Sequence, residues 1–382
     1  MNNLFIVGAK RTPQGRLLGA LAKWSAVDLA KEAGRALLKT IAPPDLDQVI
    51  VGNVLAAGQG MNIARQIGVG LGLPSDRPAY TVNMMCASGM QAVILACTAI
   101  RAGEADAVLC GGTESMSNAP YLLDRARAGY RLGNAVLLDS LLRDGLTDTF
   151  SGTHMGLVTE SLAEQYNIDR TAQDIFALQS QRKYAQAHAR GVFADELTPV
   201  DQVTQDEHPR PDVTLEKLST MKPSFKPGGT ITAGNASGIN DGAAMLVVCN
   251  ETMLVRKGWT PLARIAGWCT VGCDPALMGL GPVHATRKLC HRLGVKTDCF
   301  DVVELNEAFA VKSLACIKEL HLDADRVNPH GGAIALGHPV GASGARLLVH
   351  LAHRIARGGV GKALATLCVG GGMGSAVMLE KI

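Results

Sequence analysis

Cys86 lies in the run Thr81-Val82-Asn83-Met84-Met85-Cys86-Ala87-Ser88-Gly89-Met90, where an apolar, strand-like stretch gives way to small residues and then to a long apolar helix. A helix start offers unpaired backbone N–H groups and the positive end of the helix dipole, both of which favour thiolate over thiol. The position therefore predicts a reactive thiol, with a pKa below the free value of about 8.5. Most cysteines are buried small side chains with no chemistry to do. Cys86 becomes a nucleophile only with partners.

Three segments of the carboxyl half supply groups of the right kind: Asn306-Glu307-Ala308-Phe309, the run Gly331-Gly332-Ala333-Ile334-Ala335-Leu336-Gly337-His338-Pro339, and Cys368-Val369-Gly370-Gly371-Gly372. Each puts a polar group beside a sharp turn, where α/β folds expose functional side chains at strand ends. His338, held between Gly337 and Pro339, has little backbone freedom, which suits a general base working beside a thiol. Cys368 follows an apolar run and precedes three glycines, so its thiol is expected at a strand end near free N–H groups. His350 and His353 share a helical segment with Arg346 and Arg354 and are not read as a metal site. Gly68-Val69-Gly70-Leu71-Gly72 lacks both the G-x-G-x-x-G spacing and a preceding strand, so no dinucleotide turn is assigned there.

The elements that must hold these groups alternate. Strand-like runs at 4–7, 49–51 and 107–110 interleave with helical segments at 26–38 and 88–101, the pattern of parallel α/β layers. The order returns late, as strand 302–304, helices 308–319 and 345–357, and strand 363–368. Ala87-Ser88-Gly89 matches Ala342-Ser343-Gly344, and Asn53 matches Asn306 at the end of an apolar strand. We read an internal duplication with one nucleophile, since the second half has no cysteine where Cys86 stands. Residues 1–117 with 239–260 form one half and 261–382 the other. Residues 118–238, richer in charge and proline, form an inserted loop domain whose segment 171–189 has the apolar spacing of a surface helix.

The chain has 382 residues, 47% of them hydrophobic and 19% charged, with a formal charge of +3, so neither a nucleic-acid nor a membrane partner is expected. No apolar run is read as approaching the roughly 20 residues that span a bilayer. Ten cysteines without a C-x-x-C pair point to a reducing compartment, and a cytoplasmic location is expected. Forty-three glycines against 4% aromatics fit an α/β fold with many tight turns.

Taken in order, Asn83-x-x-Cys86-x-Ser88-Gly89, Asn306-Glu307-Ala308-Phe309, Gly337-His338-Pro339 and Cys368-x-Gly370-Gly371-Gly372 resemble the thiolase family. The resemblance extends through Arg11-Thr12-Pro13, Gly111-Gly112-Thr113-Glu114-Ser115-Met116 and Asn235-Ala236-Ser237-Gly238 to nearly the whole chain. It implies a duplicated five-layer αβαβα fold with an inserted loop domain, assembled as a homodimer or homotetramer. It also implies the roles. Cys86 takes the acyl group of an acyl-CoA with help from His338, and Cys368 shuttles the proton at the Cα carbon of acetyl-CoA. Asn306, through a water, forms one oxyanion hole with His338, and the N–H groups of Cys86 and Gly370 form the other.

The same resemblance assigns coenzyme A contacts to His154, Met155, Arg210, Phe225, Ser237 and Phe309, with Met278 at the acyl end. His154-Met155-Gly156 and Met278-Gly279-Leu280-Gly281-Pro282 resemble the short-chain branch. The activity implied is acetyl-CoA C-acetyltransfer: two acetyl-CoA give acetoacetyl-CoA and CoA, or the reverse, with no cofactor beyond the CoA thioester itself. The alternatives are a broader, medium- or long-chain 3-ketoacyl-CoA thiolase and a non-catalytic acyl-CoA-binding relative. A ketoacyl synthase would place a second histidine where Cys368 stands. One departure is Ala87, where many members have glycine; it adds a methyl group without removing the N–H.

Overall fold

A computed structural model describes residues 3–382. Nine strands carry the architecture: β1 (Leu4–Arg11), β2 (Gln48–Gly52), β3 (Ala79–Val82), β4 (Ala107–Ser115), β5 (Asn240–Asn250), β6 (Ala263–Gly272), β7 (Val302–Leu305), β8 (Lys362–Val369) and β9 (Met373–Glu380). They pair in the order β7-β8-β9-β6-β1-β5-β4-β2-β3. β7 with β8, and β4 with β2 with β3, are parallel; the other neighbours are antiparallel. The path β2-β4-β5-β1 is thus mirrored by β7-β8-β9-β6, and the duplication read from turn residues is a duplication of topology.

Side-chain alternation along the strands produces the layers. On β5, Ala244, Leu246 and Val248 face a central core, while Ala243, Met245, Val247 and Cys249 face an outer one with helix α1 (Ala26–Leu37). On β8, Ala363, Ala365 and Leu367 turn to the same central core, while Leu364 and Cys368 turn outward. Cys368 thereby joins the layer of helices α5 (Gly281–Leu293) and α6 (Ala310–Leu320). The middle layer consists of α2 (Ser88–Ala102) and α7 (Val340–Ala356), giving the αβαβα order.

α2 is buried on almost every side, as a helix with no polar face must be. The stretch Met85–Ala102 is in fact long and apolar enough to cross a bilayer by length and composition, contrary to the sequence expectation; here it is enclosed between the sheets. α7 begins at Val340, five residues before the predicted start, because Pro339 launches it, and Gly344 of α7 with Gly89 of α2 lets the two helices approach. A Cβ on Gly89 would stand 2.8 Å from the Gly341 carbonyl oxygen. These glycines set how closely the two halves approach.

In residues 118–238, helices α3 (Met155–Tyr166) and α4 (Arg170–Ala189) pack over the carboxyl half. The buried face of α4 is not the apolar stripe its spacing suggested: it carries Gln173, Asp174, Ser180, Gln181 and Tyr184. Each makes a hydrogen bond; Ser180 Oγ donates to Glu307 Oε2 at 2.7 Å and Gln181 Nε2 to the Ile334 carbonyl at 3.1 Å. The helix grips the segment that leads to His338 through polar bonds, a role that hydrophobic periodicity does not reveal.

Candidate active site

Strand β3 ends at Val82, and the chain turns at residues 83–87 into α2. Asn83 Oδ1 accepts from Met85 N at 3.0 Å, and Ser88 Oγ accepts from Met84 N at 2.8 Å and donates to the Met85 carbonyl at 2.7 Å. Met85 is forced to φ 45°, a left-handed conformation costly for a long side chain, as is common where a reactive group is held by a tight turn. Ala87 sits at φ −90°, so glycine is not required there and the extra methyl group is accommodated.

Cys86 is 5% exposed, and its environment reverses the expected direction of its pKa. Burial, then the neighbouring Cys368, pushes the thiol up; the N–H groups of Gly370 and of Cys86 itself oppose this but do not win. The backbone N–H groups of Gly370 and Cys86 are therefore the groups that favour the thiolate at this position. They are the pair expected to form an oxyanion hole.

His338 follows Gly337, whose φ of 105° only glycine adopts freely. Its backbone N–H donates to Asn240 Oδ1 at 2.8 Å. The ring Nδ1 lies 2.5 Å from Ser343 Oγ, and that hydroxyl donates to the Pro339 carbonyl at 2.8 Å. A hydroxyl whose proton is so engaged accepts from the ring, so the proton sits on Nδ1 and Nε2 is the acceptor nitrogen. Asn306 Nδ2, 3.3 Å from Nε2, meets it as a donor should. Burial, then Lys312 and Arg346, hold the imidazole down to about 3, so it is a neutral base at pH 7. Replacing Ser343 with alanine removes the group that fixes the tautomer. Iodoacetamide alkylation of Cys86 at pH 7 is expected to slow about tenfold; an unchanged rate rules out this role for Ser343.

Two buried carboxyl groups hold the frame. Glu307 accepts from Ser180 Oγ, from Asn328 Nδ2 at 2.8 Å and from Ile334 N at 3.1 Å, and so anchors the turn before His338. Glu114, pushed up to about 7 by burial, accepts from Asn53 Nδ2 at 2.7 Å, from the N–H groups of Val54 and Leu55, and from Gly341 N at 3.0 Å. It ties the first half to the start of α7.

One cavity of 640 Å³ unites residues that lie far apart in the chain. Its walls include Cys86, His338, Cys368 and Gly370, and also His154, Met155, Arg210, Phe225, Ser237, Met278 and Phe309. Asn306 is fully buried and lies beside His338, and among the described residues its Oδ1 has no hydrogen-bond partner. His154 stacks on Phe225 with ring centroids 4.5 Å apart, and Phe309 meets Phe225 edge-on at 6.1 Å. These rings make an apolar slot able to cover the chain of a long thioester. At the polar end, Arg210 is joined by two residues the sequence reading missed, Arg16 and His208. His208 is driven down to about 4 by burial, then by Arg210 and Arg16, and the two guanidinium groups form an anion-attracting pair. Arg16 carries no local signal, because its partner lies almost two hundred residues away. His350 and His353 have separate partners: His350 Nδ1 lies 2.7 Å from Glu196 Oε2, and His353 Nε2 lies 2.8 Å from the Ala9 carbonyl.

Comparison with known proteins agrees with this geometry. The family model described as "Thiolase, N-terminal domain" matches residues 4–252, and "Thiolase, C-terminal domain" matches residues 259–381. A protein of Chromobacterium violaceum named acetyl-CoA acetyltransferase is 48% identical over 387 residues, covering 98% of this chain and 99% of that protein. The Escherichia coli K12 protein of the same name is also 48% identical, over 393 residues and the full length of both. The crystal structure of human mitochondrial 3-ketoacyl-CoA thiolase in complex with CoA superposes with a TM-score of 0.97 at 42% identity, covering 100% of this chain and 98% of that one. With matches spanning both halves and the site that joins them, the chain belongs to the thiolase family.

Proposed function

We propose that this protein is an acetyl-CoA C-acetyltransferase, acting reversibly between two acetyl-CoA and acetoacetyl-CoA plus CoA through an acetyl group on Cys86. The observation that carries the reading is the shared wall of Cys86, His338, Cys368 and Gly370 in one cavity. The full-length identity to proteins named acetyl-CoA acetyltransferase supports it.

In the thiolysis direction His338 Nε2 takes the Cys86 proton, and the sulfur attacks the C3 carbonyl of acetoacetyl-CoA. The negative charge that builds on that oxygen needs preorganised donors. The C2–C3 bond then breaks, the electron pair goes to the departing acetyl-CoA carbanion, and Cys368 protonates it. CoA thiol gives its proton to the Cys368 thiolate and attacks the acetyl-Cys86 thioester; the bond from Cys86 sulfur to the acetyl carbon breaks, a second acetyl-CoA leaves, and His338 returns its proton to Cys86. Splitting the reaction at a thioester replaces one hard step by two easier ones.

The cavity bears on the substrate class. Met116, Leu146, Met155 and Met278 bring bulky apolar side chains to the wall near the reacting sulfurs, which suits a short acyl group. The ring slot and the Arg16–Arg210 pair suit the pantetheine and phosphates of CoA. The test is thiolysis across 3-ketoacyl-CoA substrates of increasing length. Activity highest with acetoacetyl-CoA and falling with length is expected; no thiolysis of any member overturns the proposal, and a preference for long chains supports the broad 3-ketoacyl-CoA thiolase instead.

Assembly as a homodimer or homotetramer is favoured by the hairpin of Tyr121–Leu123 with Leu137–Asp139, which leaves Tyr121, Val136 and Leu137 well exposed. A reducing, cytoplasmic setting is favoured by ten cysteines that are all free thiols.

A further inference from the structure

Lys312, on α6, is wholly buried, and among the described residues no carboxylate is paired with it. An ammonium group carries three donors. The one acceptor it meets is the backbone carbonyl of Asn306, six residues earlier. A buried charge without a counter-charge is costly and is usually paired or removed. Here it lies beneath the catalytic groups. The carbonyl it holds belongs to the residue whose side chain meets His338 Nε2. One turn further along α6, Cys316 Sγ donates to the Gly279 carbonyl at 3.3 Å, so the helix face is locked against the segment that carries Met278.

We infer that Lys312 is a positioning residue of this reaction: it pins Asn306 against His338, and its charge meets the negative charge that forms on Cys86. The counter-charge missing at rest is then supplied by the chemistry, first as thiolate and later as the carbanion-derived oxyanion. The titratable and charged groups around the Cys86 sulfur fit this division. Cys368 of β8 opposes the thiolate, His338 is neutral, Arg346 of α7 is paired with Glu304 at 3.2 Å, and Lys312 is the cation acting on Cys86. Lys312 also acts on Cys316, its neighbour on the same helix, whose thiol is driven up to about 12 chiefly by burial.

The inference rests on Cys86 being the nucleophile, and its test needs no thiolase turnover. Iodoacetamide alkylation of the Cys86 peptide is followed by mass spectrometry from pH 6 to 10 in the full-length protein, with Lys312→Met, Lys312→Gln and Lys312→Arg beside the parent. Below the thiol midpoint the rate tracks the thiolate fraction, so losing a nearby positive charge worth about one pH unit slows alkylation about tenfold at each pH. We expect that loss in Lys312→Met and in Lys312→Gln, which keeps a donor for the Asn306 carbonyl but no charge, and recovery to within about threefold in Lys312→Arg. Parental rates in Lys312→Gln overturn the inference, and so does an arginine variant as slow as the methionine one. A parent in which Cys86 is never alkylated would fault the nucleophile assignment instead.

Discussion

Cys86→Ser is expected to abolish acetyl-enzyme formation and to lower acetoacetyl-CoA thiolysis by about 10⁴-fold or more. The substitution is nearly isosteric in a site where residue 86 is 5% exposed, so packing is little disturbed. The N–H groups of Cys86 and Gly370 that favour a charged sulfur are backbone groups unaltered by the substitution, and a folding defect is not expected. What changes is the acid. Burial and Cys368 already raise the thiol, and a neutral imidazole is the base on hand, so the native site works only because a thiol is still far easier to ionise than an alcohol. Mass spectrometry after incubation with acetyl-CoA should find the acetyl group on the Cys86 peptide of the parent and nowhere in the variant. An acetylated serine variant turning over within tenfold of the parent would sink the assignment.

Cys368→Ser separates the two halves of the reaction. Acetyl transfer between acetyl-CoA and the enzyme uses Cys86 and His338 and does not need a proton at Cα. The variant should therefore still acetylate and still exchange CoA with acetyl-CoA at near-parental rate. Carbon–carbon cleavage and formation should fall by about 10²–10⁴, the usual contribution of a placed acid or base. The structure supports this split: Cys368 stands on the outward face of β8 at the strand end, across the cavity wall from the α2 turn that carries Cys86. If exchange and cleavage fall together, Cys368 does not have a role of its own in proton transfer.

Much of this site was legible residue by residue. Each of Cys86, His338 and Cys368 sits where an apolar run meets small or conformationally restricted residues, and the structure brings all three to one cavity. The coenzyme contacts assigned by resemblance line that cavity too, from His154 to Phe309. The predicted strands and helices survive with shifted ends, most visibly at α7, where glycines that weaken a helix in isolation are stabilised by the contact with α2. The buried face of α4 went the other way: its polar residues read as a surface because their partners, Glu307, Ile334 and Asp206, lie elsewhere in the chain.

The amino-acid sequence by itself determined which elements form, the duplicated order in which they come, and which side chains stand at their ends, because hydrophobic period and turn chemistry are local properties. It also pointed to a thiol with a lowered pKa, since a helix start is all that local sequence can show. Tertiary structure decided the opposite, because desolvation of Cys86 comes from residues packed around it from both halves, Cys368 among them. The Nδ1 tautomer of His338, the pairing of Arg16 with Arg210, and the burial of Lys312 under Asn306 were settled the same way. Each depends on a distance between groups that only the folded chain brings together, and electrostatic energies scale with that distance and with how far water is excluded.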